Sequence, residues 1–210
     1  MNESKVMVVI PTYNEAENLP AMVGELLALG IPGLEILFVD DNSPDGTGQV
    51  ADALTRQYSG RVHVLHRPGK MGLGTAYLTG FRYALDHNAA FIVQMDADFS
   101  HNPADLIRLY DACAKDGADV AVGSRYIRGV NVVNWPMSRI LLSFFASKYV
   151  RFVTGLPVHD TTAGFVCYKR KVLETINLDK IQFVGDAFQI EMKVKAWKHG
   201  LKIQEGAGSI

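Results

Sequence analysis

The stretch Val6-Met-Val-Val-Ile10 is a continuous apolar run rich in β-branched residues. Such a run is typical of a strand buried on both faces of a parallel sheet. A predicted helix follows to about residue 29, and a second apolar run then covers 35–39. We expect further strands at 62–65, 91–95 and 120–122, each preceded by a predicted helix. Because parallel strands need crossover connections, this alternation predicts an α/β fold, with a mainly parallel sheet and helices on both faces.

The pattern changes after residue 123. A long apolar-rich segment at 135–156 precedes a short predicted strand at 165–168, a helix at about 186–199 and a last strand at 201–204. The 210 residues contain no repeat or obvious linker, and this length is typical of one domain.

Composition excludes some classes of protein. The formal net charge is −1, so no global field attracts nucleic acid. Cys113 and Cys167 lack metal-ligand spacing, and we expect two buried thiols in a reducing compartment rather than a disulfide. The N-terminus shows no secretory leader, and no apolar run of about 18 residues is present, so we expect any membrane contact to be peripheral.

Polar residues follow the first two predicted strands, where ligands bind in open α/β sheets. Pro11 is expected to end the first strand, Tyr13 offers a flat face for a base, and Glu15 supplies an acceptor. After the second strand, a carboxylate of Asp40 or Asp41 can accept hydrogen bonds from a base or ribose. Turns and helix caps are an equally good explanation of either motif taken alone.

Two carboxylates, Asp96 and Asp98, follow the fourth predicted strand. They repel one another unless a cation lies beside them, and their hard oxygen ligands suit Mg²⁺ or Mn²⁺. Ser100 follows closely. This spacing predicts a metal site, although a helix N-cap before Pro103 is the alternative.

Basic residues lie near the same predicted edge. The glycine-bearing loop 67–74 can bring backbone amides and Lys70 to a diphosphate, but it matches neither a dinucleotide fingerprint nor a nucleotide-hydrolase phosphate loop. Arg125 and Arg139 can hold a phosphate, or each can pair with an ordinary carboxylate. Residues 140–153 combine large apolar residues with Lys148 and Arg151, which predicts either core or a helix lying in a membrane interface.

Five motifs together resemble those of family-2 glycosyltransferases, and more narrowly those of the polyprenol-phosphate (dolichol-phosphate) mannosyltransferases. The motifs are Pro11-Thr-Tyr-Asn-Glu15, Val39-Asp-Asp-Asn-Ser-Pro-Asp-Gly-Thr47, Gly72-Leu-Gly-Thr-Ala-Tyr77, Asp96-Ala-Asp98 and Gly123-Ser-Arg-Tyr126. The resemblance covers about residues 6–205, and the order of the motifs makes the set specific.

The resemblance implies a GT-A type fold and an inverting, metal-dependent transfer of mannose from GDP-mannose to a dolichyl or polyprenyl phosphate. It implies a nucleotide-sugar site comprising Pro11, Tyr13, Glu15, Val39, Asp41, Lys70, Asp96 and Ala97. It further implies a Mg²⁺ or Mn²⁺ site at Asp96, Asp98 and Ser100, an acceptor-phosphate site at Arg125 and Arg139, and catalytic roles for Asp98 and both arginines. Asp160 and the stretch 188–192 also match family positions near the site.

The resemblance also predicts an organisation and a location. Residues 6–124 would form a nucleotide-binding half and residues 125–205 an acceptor half of one domain. The protein would be cytoplasmic and bound peripherally to the cytoplasmic face of a membrane. A membrane-anchoring partner is one expectation. Family members continue into a segment with an Asp-Arg pair and a later Ser-Lys pair, which this sequence lacks, so the C-terminus is expected to be truncated.

Two alternatives remain at this stage. The same metal and arginines would serve transfer of glucose or another sugar from a UDP- or GDP-sugar to polyprenyl phosphate. A nucleotide-binding protein with impaired catalysis is the other alternative.

Overall fold

A computed structural model of the chain describes residues 4–125, 137–185 and 187–207; within these ranges the side chains of 137–144 and 207 are not described. The strands are β1 (Val6–Thr12), β2 (Leu34–Asp40), β3 (Val62–His66), β4 (Phe91–Gln94), β5 (Val120–Ser124), β6 (Val166–Lys169) and β7 (Ile203–Ala207). The helices are α1 (Leu19–Ala28), α2 (Thr47–Gln57), α3 (Leu73–Asp86), α4 (Leu106–Ala114), α5 (Met137–Thr154), α6 (Arg170–Ile176) and α7 (Ala187–Lys198). Short 3-10 turns cover Pro103–Asp105 and Leu178–Lys180.

The strands form one seven-stranded sheet in the order β3-β2-β1-β4-β6-β5-β7. All neighbours pair in parallel except β6, which runs antiparallel to both β4 and β5. The predicted mainly parallel sheet is therefore confirmed, with one reversed strand near its centre. Because β6 is reversed, the segment that enters it lies at the same edge as the carboxyl ends of its neighbours.

Apolar side chains alternate between two clusters, one on each face of the sheet. Along β1, Val6, Val8 and Ile10 join a cluster that includes residues of α1, α2 and α4. Met7 and Val9 join the opposite cluster, which includes residues of α3, α6 and α7. This period of two, buried on both sides, explains why β1 reads as a continuous apolar run.

Helix α3 packs closely on the centre of the sheet. A Cβ atom added at Gly80 would lie 2.2 Å from a methyl carbon of Val9, well inside van der Waals contact. Glycine at position 80 therefore sets the distance between α3 and β1. This close packing places the side chains of α3 beside the residues that follow β4.

The expectation that Pro11 ends the first strand is wrong. Strand β1 continues to Thr12, with Pro11 opposite Val39 and Thr12 opposite Asp40. The carbonyl of Val9 accepts from the amide of Met95, so Val9 and Pro11, two residues on, face the β4 side. Pairing with β4 stops at Gln94, and the missing N–H of proline therefore costs no ladder bond.

Several other expectations are tested by the structure. Cys113 and Cys167 are free and buried, as predicted. In the part of the chain that the structure describes, no helix is long and apolar enough to cross a membrane. The sequence prediction missed α6 altogether and started the last strand two residues early.

Candidate active site

The predicted site residues converge on one edge of the sheet. Tyr13 and Glu15 follow β1, Asp41 follows β2, Asp96 and Asp98 follow β4, and Arg125 follows β5. These strands run in the same direction, so their carboxyl ends meet at this edge. The turn 160–164 reaches the same edge because it leads into the reversed strand β6.

Sharp turns at this edge use backbone conformations that are uncommon outside glycine. Asn14, Asn42 and Phe99 follow β1, β2 and β4, and their φ angles are 62°, 56° and 56°. Asparagine tolerates the left-handed region, whereas an aromatic residue such as Phe99 rarely adopts it. The turn after β4 is therefore a strained one, and it lies between the two carboxylates and Ser100.

One oxygen of Asp96 is held by a tyrosine of α3. The Tyr77 hydroxyl donates to Asp96 Oδ1 at 2.6 Å, and the ring of Tyr77 is fully buried and stacked on Phe188. Burial and the charge of Asp96 raise the pKa of Tyr77 well above its ordinary value, so the phenol stays protonated and donates. This role of Tyr77 was not predictable from the sequence, because only the packing of α3 against β4 brings its hydroxyl to Asp96.

The other oxygen of Asp96 faces the turn that precedes β6. A Cβ atom at Gly164 would lie 3.1 Å from Asp96 Oδ2 and 3.3 Å from the ring of His101. His101 lies 4.0 Å from the same oxygen and stacks on Phe165, and burial lowers its pKa. Glycine at 164 therefore leaves the approach to Asp96 Oδ2 open.

Asp98 is exposed, and its Oδ1 accepts from the backbone amide of Ser100 at 3.0 Å. The alternative of a helix cap at this position is not what the structure contains, because Asn102 caps the turn at Pro103 by accepting from the amide of Ala104. Among described residues, no hydrogen-bond donor to Asp98 Oδ2 is present. Because the side chain is exposed, this oxygen is available to a ligand.

Glu15 adds a third carboxylate to this edge. Its Oε2 accepts from the side-chain amide of Asn18 at 2.6 Å, and its backbone amide donates to Thr47 Oγ1. Burial is the main cause that raises the pKa of Glu15, and the negative charges of Asp98, Asp45 and Asp96 raise it further. The edge therefore carries a concentrated negative field that a cation would neutralise.

These residues fit a divalent cation that is held jointly by the protein and by phosphates of the substrate. Among the described residues, no three His, Cys, Asp or Glu side chains come together as a complete metal site. Mg²⁺ is commonly held by one or two carboxylates together with phosphates of the substrate, and Asp96 and Asp98 supply that number. Asp96 and Asp98 are the residues that would hold the ion.

Asp41 forms a buried ion pair behind the second strand end. Arg67 Nη1 lies 3.2 Å from Asp41 Oδ1 without hydrogen-bond geometry, and Arg67 Nη2 donates to Thr75 at 2.7 Å. Burial raises the pKa of Asp41, while Arg67 and, more weakly, Lys70 oppose that rise. A buried carboxylate oxygen without a hydrogen bond suits a ligand donor, such as the edge of a base or a ribose hydroxyl.

Lys70 and Tyr13 contact each other near the carboxyl end of β1. The ammonium of Lys70 lies 4.3 Å from the centre of the Tyr13 ring, a cation–π contact. The remaining predicted nucleotide contacts are less accessible: Val39 and Ala97 are buried in the two core clusters, so only their backbone atoms can reach a ligand. Pro11 is half-buried within β1.

The loop before α3 differs from an open phosphate cradle. The backbone amide of Gly74 donates to the carbonyl of Val184 at 2.8 Å, and so it is already used within the protein. Met71, Leu73, Phe183 and Val184 are exposed around this contact. Two of the predicted phosphate ligands in this loop therefore differ: Lys70 lies beside Tyr13 at the site, whereas the amide of Gly74 is already hydrogen-bonded within the protein.

Two nitrogens of the Arg125 guanidinium donate to the carboxylate of Asp160. Its Nε donates to Asp160 Oδ2 at 2.7 Å and its Nη2 to Asp160 Oδ1 at 2.6 Å, while Nη2 also donates to Thr162. Asp160 is fully buried, and Glu205 accepts from its backbone amide at 2.8 Å. This bidentate pair fixes the guanidinium plane. Arg139 belongs to α5, but its side chain is outside the described residues, as is Tyr126.

Helix α5 presents one apolar face to solvent. Phe145, Tyr149, Phe152 and Val153 recur at helical spacing and are 61–90% exposed. Lys148 is exposed beside them. In the described part of the helix, the two predicted alternatives apply to different faces. Ser147 faces the protein and is buried against Thr161, whereas the aromatic stripe faces solvent and is not core.

The sequence profile of glycosyl transferase family 2 matches residues 7–176. The chain belongs to this family. The family-2 chain is 48% identical to polyprenol monophosphomannose synthase of Mycolicibacterium smegmatis, over 96% of this chain and 75% of that protein. It is 44% identical to undecaprenyl-phosphate mannosyltransferase of Micrococcus luteus, over 96% of this chain and 81% of that protein. It is therefore a glycosyltransferase, as the motifs predicted.

A third relative and a solved structure extend the comparison. Dolichol-phosphate mannosyltransferase of Pyrococcus furiosus is 39% identical over 85% of this chain and 50% of that protein. Glucosyl-3-phosphoglycerate synthase of Mycobacterium tuberculosis, in complex with Mn²⁺, UDP and glucosyl-3-phosphoglycerate, superposes with a TM-score of 0.67 at 19% identity, over 96% of this chain and 69% of that one. This similarity confirms the GT-A fold of the family-2 chain.

Proposed function

We propose that this glycosyltransferase transfers mannose from GDP-mannose to a polyprenyl phosphate at a membrane surface, with inversion at the sugar and with a divalent cation. The observation that carries the proposal is the identity of 44–48%, over 96% of the chain, to two relatives whose names specify mannose and a polyprenyl phosphate. The site geometry supports it, because the carboxylates, the cation–π pair and the fixed arginine share one edge.

The donor is assigned to the pocket at the ends of β1, β2 and β4. Tyr13 offers its ring to the base, Asp41 offers a buried acceptor, and Lys70 offers a positive charge to the phosphates. Asp96 and Asp98, with Ser100 beside them, face the diphosphate. Mg²⁺ or Mn²⁺ bound there would neutralise the negative charge that develops on the GDP leaving group.

The acceptor determines which protein groups the reaction needs. A phosphate monoester is already an anion at neutral pH, since its second pKa is about 6. It therefore requires no general base, in contrast to a sugar hydroxyl. The task of the protein is to orient this anion against the face of the sugar opposite GDP, and orientation alone supplies a large part of the rate. Arg125, with its plane fixed by Asp160, and Arg139 are the proposed orienting cations.

Membrane contact is assigned to α5. Its exposed stripe of Phe145, Tyr149, Phe152 and Val153 would lie in the lipid interface, with Lys148 near the head groups. This placement brings the enzyme to a lipid acceptor without a spanning helix in the described chain. A membrane-anchoring partner and the division into a nucleotide half and an acceptor half remain part of the proposal.

The proposal is tested by incubating the protein with labelled GDP-mannose, Mg²⁺ or Mn²⁺ and a polyprenyl phosphate, and by measuring label in the lipid extract. The rate of transfer by Asp98→Ala should be at least about 100-fold lower and should no longer depend on the metal, because charge stabilisation in the transition state is removed. Asp179→Ala, which removes an exposed carboxylate that pairs with Arg82 outside the site, is the matched control. Near-normal transfer by Asp98→Ala would refute the metal assignment.

The identity of the donor base is tested separately by thermal unfolding with Mn²⁺ and either GDP or UDP. A ligand at 100 times its Kd stabilises the folded state by about 2.7 kcal/mol, which raises the Tm measurably. We expect GDP to raise the Tm and UDP to raise it less at equal concentration. A larger shift with UDP would favour transfer of another sugar, the alternative that keeps the same metal and arginines.

A further inference from the structure

A fully buried lysine of α7 lies behind the turn 160–164. The ammonium of Lys193 is 0% exposed and donates to three backbone carbonyls, those of Ala163 at 2.8 Å, Thr161 at 3.1 Å and Gln189 at 3.2 Å. Isolated charges are seldom buried in protein interiors, because they lose their hydration. The three carbonyls replace that hydration, so the position of the ammonium is tied to the position of the turn.

The same turn connects the two sides of the site. At its start, Asp160 accepts two hydrogen bonds from the guanidinium of Arg125 and one from its backbone amide, and Thr162 accepts another from the same guanidinium. At its end, Gly164 lies against Asp96 Oδ2 and the ring of His101. The carbonyls that Lys193 binds, those of Thr161 and Ala163, lie between these two contacts.

The geometry points to Lys193 as a positioning residue, which holds the turn 160–164 so that Arg125 faces the acceptor phosphate; Asp96, on the donor side, is held separately by Tyr77. Lys193 itself touches neither substrate, since its ammonium is enclosed by the protein. This inference rests on the proposed transfer to a lipid phosphate. Burial lowers the pKa of Lys193 to about 7, and the nearby carboxylates of Asp160 and Glu205 oppose that effect while Arg125 adds to it.

A structural role and a positioning role of Lys193 predict different results for Lys193→Met. This variant keeps the length and the apolar stem of the side chain but removes the N–H donors of the ammonium. If the residue positions the turn, KM for the polyprenyl phosphate should rise about tenfold or more, and kcat should fall, because small displacements of orienting groups cost large factors in rate. The Kd for GDP with Mn²⁺ should change by less than about twofold, since the described contacts of Lys193 avoid the pocket at Tyr13, Asp41 and Lys70.

The matched control is Lys195→Met on the same helix. Lys195 donates to the carbonyl of Lys180 and pairs with Glu191, and these contacts involve the segment 180–191 instead of the turn 160–164. Both variants are assayed well below their Tm, with circular dichroism to confirm folding. Lys195→Met should leave both kinetic constants within about twofold of the parent protein.

Each remaining outcome decides the question. Equal losses in GDP binding and acceptor use, or unchanged acceptor kinetics in Lys193→Met, would overturn the positioning role. If Lys193→Met does not fold, Lys193→Gln, which retains a donor, is measured in the same way. Failure of both to fold would make the residue purely structural and would also overturn the inference. An absence of transfer in the parent protein would instead refute the proposed function.

Discussion

At the scale of single residues, Tyr77 is the side chain whose role depends most on the folded state. Its hydroxyl fixes one oxygen of Asp96 at 2.6 Å and leaves the other oxygen directed away from α3. Groups that orient a metal-binding carboxylate in this way typically change metal affinity or activity by 10–100-fold when they are removed.

We therefore predict that Tyr77→Phe lowers transfer, or the affinity for Mn²⁺ in the presence of GDP, by about tenfold to 100-fold. The ring and its stacking on Phe188 remain, so the Tm should change little. The measurement is an isothermal titration with Mn²⁺, combined with the lipid-extraction assay.

Tyr168→Phe is the matched control for Tyr77→Phe. Tyr168 is also fully buried, it packs edge-on against Phe81, and its hydroxyl has no hydrogen-bond partner among the residues that the structure describes. Removing that hydroxyl should leave metal affinity unchanged. If both variants lost affinity alike, general loosening of the core would be the cause, and the specific role of Tyr77 would be wrong.

At the scale of elements, α5 carries the prediction about membranes. A phenylalanine moved from water into an apolar environment gains about 1.5–3 kcal/mol, which corresponds to a factor of about 10 or more in partitioning. Phe152 is the most exposed residue of the stripe on α5.

Phe152→Ser should therefore weaken sedimentation with vesicles that contain anionic lipid by about tenfold. Ile107→Ser, on the exposed face of α4, should have little effect, because that residue belongs to a different helix and a smaller apolar surface. Transfer to a short, water-soluble polyprenyl phosphate should persist in Phe152→Ser. Vesicle binding that is insensitive to Phe152 would exclude α5 as the membrane contact.

The secondary-structure elements also show which parts of the fold local sequence patterns can predict. Strands β1 and β2 were predictable because they are buried on both faces and read as nearly continuous apolar runs. Helix α6 was missed because its seven residues, Arg170–Ile176, are too few to display a clear helical period. The insertion of β6 between β4 and β5 depends on contacts between distant residues, which local periodicity does not encode.

The site was predictable to a similar degree. Carboxylates that follow strands, such as Asp96 and Asp98, are visible in the sequence, because strand ends can be recognised locally. The partners that orient them are not, since Tyr77 and Gly164 reach Asp96 from sequence positions 19 and 68 residues away. Lys193 escaped notice for the same reason, because a lysine on a helix reads as a surface residue until its burial is known.

At the scale of the whole molecule, the buried Lys193 couples stability to pH. An unfolded lysine has a pKa of about 10.4, whereas burial lowers the pKa of Lys193 in the folded protein to about 7. Between these values the unfolded chain binds more protons than the folded one. The free energy of unfolding contributed by this residue therefore rises as pH rises from about 7 towards 10, and the contribution is least favourable below about 7.

We predict that the difference in unfolding free energy between the parent protein and Lys193→Met shifts by about 2 kcal/mol in favour of the parent between pH 7 and pH 9. Urea unfolding at the two pH values measures it, and subtracting the variant cancels most other titrating groups. The charged groups that interact with Lys193, namely Asp160, Arg125 and Glu205, are retained in both proteins. A pH-independent difference would contradict the lowered pKa.

The position of β6 has a consequence for synthesis on the ribosome. Strands β4 and β5 are both complete by residue 124, but neither has its shared neighbour until residues 166–169 have been translated. A nascent chain that ends before this point leaves the borders of β4 and β5 that face β6 unpaired, and unpaired strand borders invite aggregation. Chaperone binding to stalled nascent chains should consequently drop once the exit tunnel releases residue 169, and the residues that follow β4 and β5 should come together only then.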